Sequence, residues 1–189
     1  MTARPLERGA NVSLTKERPS LTGVVIGVRW GAGADSRLAA DVVAATLLCG
    51  ADHRVLSDRH VVFFNQLVSP DTSVAQLEEL LGDDDEQIEI DLDAVPPEIE
   101  RISVFVYLHG GGAGGRSLGQ LRSCTIRVLD LHDSTELVRS EDLAAALSGE
   151  TALVLGQLYR RDGGWKFRVV GQGYSTGLAG VADDYGIPL

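Results

Sequence analysis

The chain has 189 residues, of which 44% are hydrophobic and 23% are charged. These proportions are ordinary for a globular protein and exclude a wholly disordered chain, and at this length we predict a single domain over residues 1–189. The longest nearly apolar run, residues 42–51, is about half as long as a membrane-spanning helix needs. Because the first residues also lack the apolar core of a secretory signal, we expect a cytoplasmic protein with no membrane span.

The formal net charge of -10 is concentrated in one segment of the chain. Residues 71–100 contain twelve acids and no lysine or arginine, whereas the rest of the chain has fifteen acids against seventeen bases. Such a segment repels phosphate backbones and anionic lipids, and we therefore expect no nucleic-acid partner. It would attract cations or a basic protein partner, unless it is simply a solvated acidic surface.

Segments rich in β-branched and aromatic residues, separated by turn residues, predict at least eight strands. In chain order these segments are 21–30, 42–49, 60–68, 86–92, 101–109, 123–131, 151–159 and 164–172. Helical patterns are few and short, and they cover residues 74–81, residues 140–147 and the tail after Tyr174. This balance predicts an all-β dominated fold, an antiparallel β-sandwich with a few short helices, rather than a βαβ fold.

Two glycine-containing motifs imitate an esterase. Residues 109–112 read His-Gly-Gly-Gly, like the oxyanion loop of some lipases, and residues 173–177 match G-x-S-x-G around Ser175. In that mechanism an acid and a histidine follow the serine, because an imidazole must activate it. The last histidine of this chain is His132, which precedes the serine. We therefore predict no enzyme and no catalytic residue.

The cysteines and histidines give no recognisable site. Cys49 and Cys124 are too few for a disulfide framework or a zinc ligand set, and they lie in strand patterns where small buried hydrophobes are expected. The four histidines have no spacing typical of metal ligands. A site built on these residue types is not expected.

The acidic loop is the candidate cation site. Asp71 precedes it, and Asp83, Asp84, Asp85 and Glu86 come directly before a predicted strand. Calcium prefers six to eight oxygen ligands from loop carboxylates and carbonyls. Three consecutive aspartates cannot all face one ion, but alternate carboxylates and a carbonyl between them can. The alternative is a solvated acidic turn.

Five segments taken together resemble the TerD tellurium-resistance family. They are GANVSLTK (9–16), VVIGVRW (24–30), FFNQLVSPDTSV (63–74), DDEQIEIDLDAVP (84–96) and ETALVLGQLYRRDGGWKFRVVGQGYSTGL (150–178). The match runs in order over nearly the whole chain. The resemblance implies a bacterial cytoplasmic β-sandwich, calcium ions in loops at one end, and an association with tellurite resistance and general stress response.

The sequence departs from the family pattern where the resemblance implies calcium ligands. Gly31 stands where family members usually have an aspartate, and residues 40–44 replace a segment that carries two acids. Asp41 is nearby but out of phase, so we predict that it points to the other side of a strand. The candidate metal ligands that remain are Asp71, Asp84, Asp85, Glu86 and Asn65.

These observations predict a TerD-like, non-enzymatic protein associated with stress response and tellurite resistance, with a degenerate calcium site. We expect at most one calcium ion, bound weakly or not at all, because each lost carboxylate removes a ligand and a neutralising charge. The alternative is a metal-free paralogue that acts as an interaction or scaffold protein with a protein partner yet to be identified.

Overall fold

In the computed structural model, which describes residues 5–189, the chain forms eleven strands, three α-helices and three 3₁₀ turns. The strands are β1 (Asn11–Ser13), β2 (Gly23–Gly31), β3 (Val42–Cys49), β4 (Val61–Val62), β5 (Val74–Gln76), β6 (Glu86–Asp91), β7 (Arg101–Leu108), β8 (Ser123–Asp130), β9 (Glu136–Arg139), β10 (Ala152–Arg161) and β11 (Gly164–Tyr174). The helices are α1 (Leu14–Glu17), α2 (Ser36–Asp41) and α3 (Leu178–Tyr185), and the 3₁₀ turns are Asp58–His60, Leu118–Gln120 and Ala144–Ala146.

The strands form two antiparallel sheets packed face to face, which confirms the predicted fold class. The six-stranded sheet has the order β1-β11-β10-β7-β3-β4, and the five-stranded sheet has the order β5-β6-β2-β8-β9. The main core lies between them, where Ile26 and Ile88 of one sheet pack in the same cluster as Val104 and Leu155 of the other. All four side chains are fully buried.

A second, smaller core lies on the outer face of the six-stranded sheet. There Leu47, Phe105 and Val154 pack in one cluster with Val181 of α3. The helix predicted in the tail is therefore confirmed.

The helix predicted over residues 74–81 is wrong. Val74–Gln76 is the edge strand β5, which pairs with β6 in the register Val74↔Ile90. The apolar spacing of this segment also fits a helix, but the amide of Gln76 donates to the carbonyl of Leu67 at 2.8 Å and ties the segment into the sheet. Tertiary pairing therefore overrides the helical pattern.

Two other predicted elements are shorter than expected. In residues 140–147 only the 3₁₀ turn at Ala144–Ala146 forms, because the hydroxyl of Ser140 accepts from the amide of Ile126 at 3.0 Å rather than capping a helix. The strand predicted over residues 60–68 is reduced to β4, and a tight turn follows in which the amides and carbonyls of Phe63 and Gln66 bond each other.

The prediction that both cysteines are buried is confirmed. Cys49 and Cys124 are both buried and free, and burial raises the pKa of each thiol to about 12. None of the helices in residues 5–189 is long and apolar enough to cross a membrane.

Candidate metal centre

The acidic loop lies at the end of the sandwich where β2 finishes and β6 begins. Glu86 pairs with Val28 across these strands, and the amide of Asp85 donates to the carbonyl of Val28 at 2.8 Å. This pairing carries the preceding residue, Asp84, over the outer face of the five-stranded sheet. Of the predicted ligands, Glu86 is therefore the first residue of β6, and Asp84 and Asp85 lie in the loop directly before it.

Asp84 is paired with an arginine across the sheet. Its carboxylate is buried and accepts from Arg127 at 3.0 Å and 3.1 Å (Nε) and at 2.8 Å (Nη2). Gln87 donates a further hydrogen bond to Oδ2 at 2.8 Å. Fork-shaped contacts of this kind are among the strongest hydrogen bonds in proteins. Both oxygens of the central candidate ligand are therefore committed to protein donors.

Gly27 makes this pair possible. It is the residue of β2 that lies between Gln87 of β6 and Arg127 of β8 in the sheet register. A Cβ atom at this position would lie 2.1 Å from Oδ2 of Asp84, far inside van der Waals contact. The missing side chain therefore opens the space through which Asp84 reaches the guanidinium.

The ion pair continues along the sheet into a longer network. Arg127 of β8 stands opposite Arg139 of β9, and Glu136 contacts both, at 3.4 Å from Nη1 of Arg127 and at 2.8 Å from Nε and Nη2 of Arg139. The hydrogen bonds from Arg139 are the main cause that lowers the pKa of Glu136. Two arginines side by side would repel each other, and the carboxylates of Asp84 and Glu136 offset that repulsion.

Asp85 and Glu86 remain the least satisfied acids of the loop. Oδ2 of Asp85 accepts from the amide of Trp30 at 2.8 Å, and Glu86 accepts from the side-chain amide of Gln76 at 3.1 Å. Desolvation is the main cause that raises the pKa of both carboxyl groups, and the charge of a neighbouring aspartate adds to it. A cation bound near these two carboxylates would offset their negative charge.

Asp71 and Asn65 do not join the acidic loop. Oδ1 of Asp71 accepts from the amide of Ser73 at 2.8 Å and from the hydroxyls of Ser69 and Ser73. Burial acts to raise the pKa of Asp71, but these hydrogen bonds outweigh it, and the pKa is lowered. Asn65 is exposed in the turn after β4, where it lines a groove with Phe64 on another face.

A second guanidinium lies between two further acids near β3. Nε of Arg116 is 3.9 Å from Asp35 and Nη1 is 4.0 Å from Asp41. Asp35 also caps α2 by accepting from the amide of Leu38 at 2.9 Å. Asp41 is the last residue of α2, so the prediction that it lies in a strand and points to the opposite face is wrong. Sequence reasoning missed Arg116 and Arg127, because each contacts acids far away in the chain.

The two esterase-like motifs meet in space. His109, Ser175 and Gly177 line one groove of about 510 Å³ on the outer face of the six-stranded sheet. The two motifs are therefore close in the fold although they are far apart in the chain. Within residues 5–189, however, no hydrogen bond joins the side chains of His109 and Ser175.

The residues present do not fit a tightly bound calcium ion. Calcium needs six to eight oxygens, but Asp84 is committed to Arg127, Asp71 is committed to its own serines, and Asn65 lies elsewhere. In the part of the chain that the structure describes, no three His, Cys, Asp or Glu side chains are grouped so that they could hold a metal ion. Within the acidic loop, Asp83 and Asp85 are exposed and Glu86 is half-buried.

A β-sandwich of two antiparallel sheets is the architecture that the sequence resemblance implied. The TerD domain matches residues 1–185, and this chain belongs to the TerD family.

Relatives of known name span the whole chain. It is 41% identical to the tellurium resistance protein TerD of Serratia marcescens, over 96% of both chains. It is 36% identical to general stress protein 16U of Bacillus subtilis (strain 168), over 97% of both chains. A crystal structure of a homologue of telluride resistance protein (TerD) from Streptomyces coelicolor A3(2) superimposes with a TM-score of 0.66 at 21% identity. That match covers 86% of this chain and 96% of the other, and it shows the shared fold.

Proposed function

We propose that this protein is a cytoplasmic stress-response protein of the tellurium-resistance type that acts by binding rather than by catalysis. Its acidic loop is held in place by internal arginines instead of calcium. Support for the biological role comes from relatives named for tellurium resistance and general stress, which align over 96% or more of this chain. A metal-free loop also suits the interaction or scaffold role that the sequence left as the alternative.

The observation that carries this proposal is the ion pair between Asp84 and Arg127. A guanidinium supplies the positive charge and the donors that a cation would otherwise bring to the loop. The Asp84 carboxylate is 4% exposed and Arg127 is 21% exposed, so the pair is shielded from solvent and from added salt. A calcium ion that recruited Asp84 would have to take its carboxylate away from Arg127, which would then keep the longer contact of 3.4 Å to Glu136, and this loss is unfavourable.

A weak calcium site is the second candidate, and the raised pKa values of Asp85 and Glu86 favour it. Each carboxylate is partly desolvated beside another negative charge, so a cation bound between them would be stabilised. With Asp83 exposed nearby, the site would hold two or three protein oxygens and several waters. Loosely built sites of this kind have dissociation constants of about 10⁻⁴ to 10⁻³ M.

Isothermal calorimetry with calcium chloride distinguishes the two candidates. The metal-free form gives no saturable heat at millimolar calcium, and the weak site gives one ion in the millimolar range. In the second case Asp84→Asn combined with Asp85→Asn abolishes binding, whereas Asp41→Asn, the control at the neighbouring loop, leaves it unchanged. Tight binding of two ions would contradict both candidates.

The non-enzymatic part of the proposal rests on the groove that contains Ser175. Ser175 and His109 are both exposed, and no hydrogen bond within residues 5–189 links the hydroxyl to the imidazole that would have to activate it. Hydrolysis of a small ester that disappears in Ser175→Ala would contradict this part, and Thr176→Ala in the same groove is the matched control.

A further inference from the structure

A basic pocket lies on the outer face of the six-stranded sheet, where β7 begins and β10 ends. We define the basic pocket by six of its cationic and polar side chains, which come from three strands and from the turn after β3. They are His53, Arg101, Gln157, Tyr159, Arg161 and Arg168. Arg101 stands opposite Tyr159 in the sheet, and Arg168 stands opposite Gln157. Because directly opposed residues share a face, the two arginines project to the same side.

The pocket is lined by positively charged side chains, whereas the molecule as a whole is acidic. The chain has 27 acids against 17 lysines and arginines, yet no carboxylate side chain of residues 5–189 lines this cavity of about 340 Å³. Some arginines elsewhere are paired with acids, as Arg18 is with Asp130 at 2.7 Å and Arg127 is with Asp84. Within the described chain, Arg101, Arg161 and Arg168 have no carboxylate within 4.0 Å.

Arg101 is the residue whose environment most clearly lacks a partner. It is half-buried, and its Nε is fully buried but has no hydrogen-bond acceptor. Nη1 donates to Oε1 of Gln157 at 3.2 Å, and the guanidinium lies 5.9 Å from the ring centre of Tyr159. A desolvated cation with unused donors is unfavourable unless an anion or an acceptor completes it.

The positive charge of Arg101 also affects the pKa of the neighbouring histidine, His53. Desolvation is the main cause that lowers the pKa of His53, and the positive charge of Arg101 lowers it further, against the opposing charge of Asp52. Asp52 is exposed, and its Oδ1 accepts from the amide of Arg54 at 3.1 Å. It therefore does not pair with Arg101.

We propose that the basic pocket binds a small oxyanion, with Arg101 as the principal donor and with Arg161 and Arg168 supplying further positive charge. A planar guanidinium presents parallel N–H groups that match two oxygens of a phosphate-like anion, and its charge strengthens each bond. The volume lies in the range of ligand pockets, so either a free oxyanion or the phosphoryl group of a larger molecule fits. This site is independent of the acidic loop and of the role proposed for it.

The test is a titration of the full-length protein followed by the NMR resonance of the Arg101 Nε–H group. Inorganic phosphate, potassium tellurite and glycerol 3-phosphate are added separately, and sodium chloride at the same ionic strength is the blank. We expect a saturable shift of this resonance with at least one of the three oxyanions. Binding of phosphate and glycerol 3-phosphate alike indicates a site for a free oxyanion, and binding of glycerol 3-phosphate alone indicates an organic phosphate. Binding of tellurite indicates that an oxyanion of tellurium, the element in the relatives' names, is itself a ligand.

Three charge-removing variants complete the test by calorimetry. Arg101→Gln and Arg168→Gln are expected to weaken binding about tenfold or more, because a hydrogen bond to a charged group contributes roughly 1.5–3 kcal/mol. Arg168 is exposed, so its replacement does not threaten folding. Arg37→Gln, which removes an equally exposed arginine from α2, is the matched control and keeps the wild-type affinity. The absence of a saturable shift with all three anions, or equal affinities in all variants, would overturn the proposal.

Discussion

Gly27 shows how a single missing side chain determines the state of the acidic loop. The Asp84 carboxylate occupies the volume that a Cβ at Gly27 would need, since that atom would lie 2.1 Å from Oδ2. Through this gap Asp84 reaches Arg127, and the loop becomes part of the sheet. The residue therefore controls whether the carboxylate faces the guanidinium or the solvent.

The variant Gly27→Ala tests this arrangement. The added methyl group must displace Asp84 from Arg127, and we expect a loss of about 2 kcal/mol or more in the free energy of unfolding. The matched control is Gly149→Ala, where a Cβ would meet no atom within 4 Å, and its effect should stay within about 0.5 kcal/mol. Urea denaturation measures both. Equal stabilities for the two variants would show that the Asp84 contact does not matter.

A double-mutant cycle measures the ion pair itself. Removing one partner in Asp84→Asn or in Arg127→Gln leaves the other without its main charged partner, and each is expected to cost about 3 kcal/mol. The double variant should cost less than the sum of the two, by about 1–3 kcal/mol, because it leaves no unpaired charge.

The exposed pair of Arg29 and Asp83 serves as the control for this cycle. Their side chains are 54% and 83% exposed at 3.8 Å, so Asp83→Asn should change the free energy of unfolding by no more than about 0.5 kcal/mol. A coupling energy near zero for Asp84 and Arg127 would mean that the two residues do not depend on each other.

At the scale of elements, the turn before β5 depends on one carboxylate. Asp71 accepts from the amide of Ser73 and from the hydroxyls of Ser69 and Ser73, and these bonds set the entry into the strand. The lowered pKa of Asp71 means that the folded state binds its proton less tightly than the unfolded chain does. The carboxylate therefore stabilises the fold above its ordinary pKa of 3.8, and this contribution is lost as the pH falls through the lower pKa of the folded state.

Asp71→Asn should therefore destabilise the protein at neutral pH by about 1 kcal/mol, since the hydrogen bonds lose the charge that strengthens them. The difference from wild type should shrink as the pH falls below 3.8 and through the lower pKa of the folded state, where the native carboxylate becomes protonated. Urea midpoints over this pH range measure the effect. Asp93→Asn, an exposed acid just after β6, is the control, and a difference that is independent of pH would contradict the assignment.

Elements whose local pattern agrees with their burial could be predicted from the sequence. The run Val42–Cys49 is apolar on both faces because β3 lies between the main core and the second core, and its predicted bounds are those observed. The segment at residues 74–81 was predicted wrongly as a helix, since its apolar residues fit both a helix and an edge strand. Pairing with β6, which local sequence does not encode, decides between them.

The candidate site was harder to predict than the fold for the same reason. The acids of the loop are visible in the sequence, but Arg127 lies 43 residues beyond Asp84. Only the register of β6, β2 and β8 brings the two side chains together over Gly27. In the sequence Arg127 is an ordinary outward-facing residue of an amphipathic strand. The ion pair between Arg127 and Asp84 could therefore not be inferred.

At the scale of the whole molecule, opposite charges are segregated. The segment 71–100 carries twelve acids and runs along β5 and β6 of the five-stranded sheet. The unpaired arginines of the basic pocket lie on the outer face of the other sheet. Such a distribution directs cations toward one region of the surface and anions toward another, over distances of about one Debye length.

Added salt and added calcium should therefore affect stability in the same, unspecific way. Sodium chloride screens the repulsion among the acids of this protein, whose net charge is -10, and we expect it to raise the urea midpoint. Calcium chloride at equal ionic strength should match it if no calcium binds. A weak site with a dissociation constant of about 10⁻³ M would add only about 1 kcal/mol at five times that concentration.

Magnesium chloride is the control for divalent charge alone. A calcium-specific gain of about 4 kcal/mol at millimolar calcium would require a dissociation constant roughly a thousandfold below the calcium concentration. That result would contradict an acidic loop held by Arg127, because a site of such affinity needs the oxygens of Asp84. The same measurement on Arg127→Gln gives the decisive comparison: releasing Asp84 from the guanidinium should increase the stabilisation by calcium relative to wild type.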